Sequence, residues 1–194
     1  QSTHEIYVAN WVMDDHPVRA QGMGGRQVRF GPGNGTFWDH HAVEFEYPGG
    51  VRLFAQARQQ AATWVQVSDN IHGTKESVTL GSGPWGFGKL TPRDLRRRRE
   101  PGANPYQQEH LDLVASIRGD GPYRCEGDYG ATSSMTAVMG RMATYSGNLV
   151  TWDEATQSEV RLGPQQYSLD AEPPVLPDAD GSYPAAMPGI TKAW

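Results

Sequence analysis

The chain has 194 residues and 21.3 kDa, enough for one sizeable core, with 37% apolar residues and a mean hydropathy of -0.62. Its net charge of -5 and pI near 5.6 argue against a nucleic-acid partner held through phosphates, and no apolar run reaches the ~20 residues of a membrane span. Cys125 is the only cysteine, so neither an intrachain disulfide nor a cysteine-built metal site can form.

In chain order, residues 1–13 read as a helix rich in apolar side chains, with nothing to break it before Pro17. Gln1 falls inside that pattern, from which an upstream segment is expected. Val18 to Phe30 is expected to be extended and interrupted by Gly22, Gly24 and Gly25. From His41 to Tyr47, Val43, Phe45 and Tyr47 alternate with Ala42, Glu44 and Glu46, as in a strand with one buried and one polar face. Pro48-Gly49-Gly50 turns the chain into a second strand on which Val51, Leu53, Ala55 and Ala57 alternate. Trp64 to Ser68 and Ser77 to Leu80 continue the β character.

Residues 81–103 shift to Gly, Pro and Arg and are expected to form an irregular surface insertion, with Arg96 to Arg99 as a solvated loop. Asn104-Pro105-Tyr106-Gln107 then has the pattern of a helix start. Tyr106, His110, Leu113, Val114 and Ile117 fall on one face of that helix, and Gly119 ends it. A second helix from about Tyr129 to Ser146 carries the stripe Met135, Val138, Met139, Met142 and Tyr145, read as core packing. Thr151-Trp152-Asp153-Glu154 offers a capping box for a short last helix. Prolines at 164, 173, 174, 177, 184 and 188 bar regular structure from the tail, 164–194, which is expected to wrap the domain or a partner.

Strands followed by two helices give an α+β domain over 1–163, an open and largely antiparallel sheet with helices packed on one face. The other face is expected to be apolar and exposed, and hence to drive self-association.

No residues form a phosphate cradle: the glycines at 22–25 and 81–83 lack the G-x-G-x-x-G spacing, so no cofactor is expected to bind this chain alone. His4, with Glu5 beside it, is a candidate general acid/base, because imidazole titrates near neutrality. Asp39-His40-His41 with Glu44 could suggest a metal, but neighbouring strand residues point to opposite faces, so none is expected. Trp38, Trp64, Trp85 and Tyr106 are candidates for a sugar-stacking wall, though the core competes for them.

The segments HEIYVANW (His4 to Trp11), HPVRAQGMGGRQVR (His16 to Arg29), WDHHAVEFEYPGGVRLFAQAR (Trp38 to Arg58) and HGTKES (His72 to Ser77) resemble the bacterial-type C-terminal domain of Gfo/Idh/MocA oxidoreductases, in sequence and order. So do NPYQQEHLDLVASIR (Asn104 to Arg118), EGDYGATSSMTAVMGRMATYSG (Glu126 to Gly147), VTWDEA (Val150 to Ala155) and PGITK (Pro188 to Lys192).

The resemblance implies the dihydrodipicolinate-reductase-like C-terminal fold of a two-domain enzyme. Its preceding Rossmann domain holds NAD(P) and supplies a lysine. Its C-terminal domain completes a sugar or polyol pocket and assembles homo-oligomers through the open sheet face. His4 takes the place of the histidine in the family's D-x-x-x-H motif, and Trp38, His40 and Tyr106 are the pocket candidates. Two departures fall in the catalytic helix: Tyr7, where an Asp is common, and Ser2-Thr3, where a His and an aliphatic residue are usual. These departures also suit a second reading, a stand-alone, non-catalytic binding or scaffold module that self-associates through its sheet. The compartment stays open between cytoplasm and periplasm.

Overall fold

The computed structural model describes residues 3–31, 33–83 and 104–192. Its elements are α1 (Thr3–Met13), β1 (Arg19–Gly25), β2 (His40–Glu46), β3 (Arg52–Arg58), β4 (Val67–His72), β5 (Ser77–Gly83), α2 (Pro105–Arg118), α3 (Gly127–Ser146), β6 (Val150–Thr151) and α4 (Trp152–Thr156). Contacts divide the chain into two compact units, residues 1–63 with 132–194, and residues 64–131. The proline-rich tail belongs to the first. Of the expected insertion, Gly81 to Gly83 belong to β5, while 84–103, with Arg96 to Arg99, lie outside the described residues.

The first unit is built on a sheet of order β3-β2-β1-β6, antiparallel at every pairing. This is the expected α+β architecture. The β2–β3 hairpin pairs Val43 with Ala55 and Phe45 with Leu53, and it turns where the Tyr47 amide donates to the Val51 carbonyl at 2.8 Å. Because strand side chains alternate, Val43, Phe45 and Tyr47 share one face and are all buried. They pack with Ile6, Ala20, Met139, Met142, Ala143, Val150 and Ala155. Gly140 lets α3 come close: a Cβ there would lie 2.7 Å from Cζ of Phe45.

The helices covering this face are α1 and α3. On α1 the inward residues are Ile6, Asn10 and, in part, Met13, spaced as one helical face, while Trp11 and Val12 are exposed. Asn10 is buried because it is fully engaged. Its amide donates to Thr136 Oγ1 at 3.0 Å and Ser133 Oγ at 3.5 Å, and Tyr47 donates its hydroxyl to Asn10 Oδ1 at 2.6 Å. This polar bolt joins α1, α3 and the end of β2. On α3, Val138 is exposed, contrary to its expected place in the stripe.

The outer sheet face corrects the expectation of an apolar surface. Arg19 pairs with Glu46 at 2.7 Å, Arg52 pairs with Glu44 and Glu46, and Gln21 donates to Glu44 at 2.8 Å. Met23 and Phe54 stand exposed among them. The physical reason lies in the alternation itself, which puts the Arg and Glu residues of β1, β2 and β3 on the face opposite Phe45.

The tail is fastened to this unit without regular structure. Arg26 donates to the carbonyls of Tyr183 at 3.0 Å and Gly35 at 2.9 Å, and the Gly189 amide donates to the Ser146 carbonyl at 2.6 Å.

In the second unit, β4 and β5 form their own two-stranded sheet. Helix α2 begins as expected: Asn104 caps it by accepting from the Tyr106 amide at 3.0 Å, and Gly119 closes it in the left-handed conformation. Its stripe is not core, however. Tyr106, Leu113, Val114 and Ile117 are all exposed, and, with 81–83 and Pro105 left aside, no described residue of this unit is buried.

Candidate functional site

The densest polar constellation of the first unit surrounds Asp39, the residue before β2. Its carboxylate is buried. Oδ2 accepts the backbone amides of Gln27 at 2.6 Å, Val28 at 2.7 Å and Arg29 at 3.3 Å, while Oδ1 faces His40 Nδ1 at 2.7 Å and Gln60 Nε2 at 3.0 Å. Burial alone would raise its pKa. The Val28 amide, His40, Gln60 and the Gln27 amide outweigh it and hold the carboxyl far below the usual carboxylate range. An ionised Asp39 therefore ties the loop after β1 to the start of β2 and the end of β3.

His40 and His41 diverge, as strand neighbours must. The His40 side chain is 38% exposed and lies across from Gly25, its cross-strand partner. A Cβ on Gly25 would fall 3.3 Å from the ring's Cε1 and 3.5 Å from its Nε2. His41 turns to the helical side, where Nδ1 lies 3.0 Å from Thr144 Oγ1. Thr144 has one hydroxyl proton, and giving it to the Arg141 carbonyl at 3.1 Å leaves its oxygen to accept from His41 Nδ1–H. Burial, then the neighbouring His40 and Arg141, lowers the His41 pKa. Among the described residues no group of three or more His, Cys, Asp or Glu could hold a metal ion.

Trp38 is 7% exposed and stacks on Tyr145, with centroids 4.5 Å apart, while its amide donates to the Tyr145 hydroxyl at 3.1 Å. Arg141 covers Tyr145 at 4.2 Å. The Trp38 ring centroid also lies 5.7 Å from that of His41, so its ring is engaged on the core side, next in sequence to Asp39. His4 is exposed near the start of α1. Tyr106 is exposed in the second unit, Trp64 is also exposed, and Trp85 lies outside the described residues. Of the expected set, Trp38 and His40 flank Asp39 in sequence, and only His40 contacts its carboxylate. Asp39, Gln60 and Gln27 were not foreseen as one cluster, since their meeting depends on hairpin register. The run Trp38-Asp39-His40 was the one local signal.

No protein-family model matches the sequence, and no curated protein matches it significantly. Solved structures do share its fold. The aldose-aldose oxidoreductase from Caulobacter crescentus, complexed with glycerol, aligns over 77% of this chain and 45% of its own, with TM-score 0.52 and 16% identity. A Thermotoga maritima protein assigned to the oxidoreductases aligns over the same shares, with TM-score 0.54 and 17% identity. At these identities the likeness is one of fold, and the chain spans less than half the length of either protein.

Proposed function

We propose that this chain supplies the substrate-side and assembly surface of an NAD(P)-dependent sugar or polyol oxidoreductase. The observation that carries the reading is the alignment of 77% of the chain with less than half of an aldose-aldose oxidoreductase. Collinear motifs from His4 to Lys192 point the same way. In this reading His4 handles the hydroxyl proton, and Trp38 and His40 of the first unit contribute to the pocket. The dinucleotide belongs elsewhere. Among the described residues every strand pairing is antiparallel, and no strand passes through a glycine turn into a helix, which supports placing the nucleotide outside them. Assembly through the outer sheet face would use its Arg and Glu lattice with Met23 and Phe54, which makes it sensitive to salt.

The test is a titration of the chain with D-glucose, myo-inositol and NADH, followed by amide NMR, with sedimentation at low and high salt. The expected result is saturable shifts with a sugar or polyol, none with NADH, and a dimer that weakens in salt. Saturable NADH binding by these residues would overturn the division of labour, and indifference to every sugar and polyol would overturn the substrate class.

A further inference from the structure

We propose that Nε2 of His40 is the acceptor for a hydroxyl group of a neutral sugar or polyol, and that Asp39 is the residue that positions it. The inference rests on the sugar or polyol reading above and names the atom that would meet the ligand.

The argument starts from proton inventory. An ionised carboxylate has no proton to give, so the 2.7 Å contact between Asp39 Oδ1 and His40 Nδ1 requires the proton on Nδ1. In the neutral ring Nε2 then carries the lone pair. That tautomer is locked, because Asp39 cannot turn away: its Oδ2 is held by three consecutive amides and its Oδ1 also by Gln60. The ring is held by an anchor with little freedom of its own, which is how a supporting carboxylate fixes a working imidazole.

Among the described residues, the outer side of the half-exposed ring is left open. Gly25 stands across the sheet, and any side chain there would crowd Cε1 and Nε2. No described residue occupies Nε2. Its surroundings select the ligand class. A lone pair facing outward repels an anion; Arg29 is engaged by Gln59, and Arg58, which pairs with His40 in the β2–β3 register, is itself engaged. A metal would need further ligands, which the described residues do not assemble. A neutral hydroxyl satisfies the acceptor. Gln60, whose NH2 donates to Asp39 Oδ1 at 3.0 Å and to Gln27 Oε1 at 3.5 Å, keeps its carbonyl oxygen as an acceptor for a second hydroxyl.

The experiment combines ring-nitrogen NMR with sugar titration. In the native protein the His40 ring should carry its proton on Nδ1, and D-glucose or myo-inositol should shift Nε2 together with the amides of Gly25, His40 and Gln60. In Asp39→Asn the three loop amides demand an oxygen, so the new NH2 must face His40 and the proton should move to Nε2. His40→Phe leaves the loop bonds of Asp39 in place and should weaken binding about tenfold, the scale of one lost hydrogen bond to a fixed partner. His40→Gln, which keeps an acceptor, should recover part of that loss. A native His40 with Nδ1 unprotonated overturns the proposal, as does unchanged affinity in His40→Phe. If sugars then still shift amides elsewhere, the broader reading survives without this site. If they shift nothing in the native protein, both fall.

Discussion

The two units differ in what holds them. The first has a sheet face closed by α1 and α3 over Phe45, Tyr47 and Met139, with a satisfied buried polar bolt at Asn10. The second has a hairpin and a well-capped helix but, with 81–83 and Pro105 left aside, no buried side chain among its described residues. A two-stranded hairpin or a single helix of this length is marginal in water by itself. Good capping therefore sets where a helix begins, and only burial makes it resist opening.

The widest test of this contrast sets Phe45→Ala against Ile117→Ala. The first removes a buried ring from the core and should cost about 3–5 kcal/mol. The second trims a side chain 76% exposed and should change stability by no more than about 0.5 kcal/mol. Urea unfolding measures both, and amide exchange should protect β1, β2 and α3 while α2 exchanges quickly. Comparable losses from the two substitutions would erase the distinction.

Next in size is Asn10→Ala, which removes the buried acceptor of the Tyr47 hydroxyl and the buried donor to Thr136 Oγ1 and should cost about 2–3 kcal/mol. Tyr47→Phe should cost less, and a double-mutant cycle should return strong coupling between the two. Additive losses would mean that the bolt is not a unit.

Smaller again is the cap of α4. Thr151 Oγ1 accepts the Glu154 amide, and Glu154 Oε2 accepts the Thr151 amide at 2.8 Å, so Thr151→Ala should cost about 1 kcal/mol. A loss as large as that of Asn10→Ala would show that α4 carries more of the core than Ala155.

The finest test is pH. His41 has a lowered pKa in the folded chain, so the unfolded chain takes up its proton first as pH falls. The contribution is present in full above the ordinary value of 6.5 and is lost through the window beneath it. Melting temperature should therefore fall on acidification through that window, and His41→Gln should flatten that part of the profile. An unchanged slope in the variant would assign the dependence to another group.

Much of the local structure of both units was legible in the chain. The β2 alternation, the Pro48-Gly49-Gly50 turn, the Asn104 cap and the Thr151–Glu154 box are local signals, and each stands as expected. Two errors have physical causes. The α2 stripe looked like core because periodicity reports that a helix has an apolar face, not that anything covers it. The outer sheet face was expected to be apolar although Arg19, Glu44, Glu46 and Arg52 were there to be read, since their shared face follows from strand parity once register is known. The cluster at Asp39 was out of reach for a different reason. Its partners lie 10–12 residues before it and 21 after it, joined by backbone amides that every residue possesses.

The sequence by itself determined the type of most elements, the β2–β3 hairpin, the caps and the absence of a dinucleotide fingerprint, because these depend on neighbours within a few residues, while β6 went unread. Tertiary structure alone decided which helices close the sheet, that Asn10 is a buried bolt, and that Asp39 is an ionised anchor for His40. Those outcomes depend on which distant groups remain to satisfy a buried polar atom, and periodicity along the chain does not encode that.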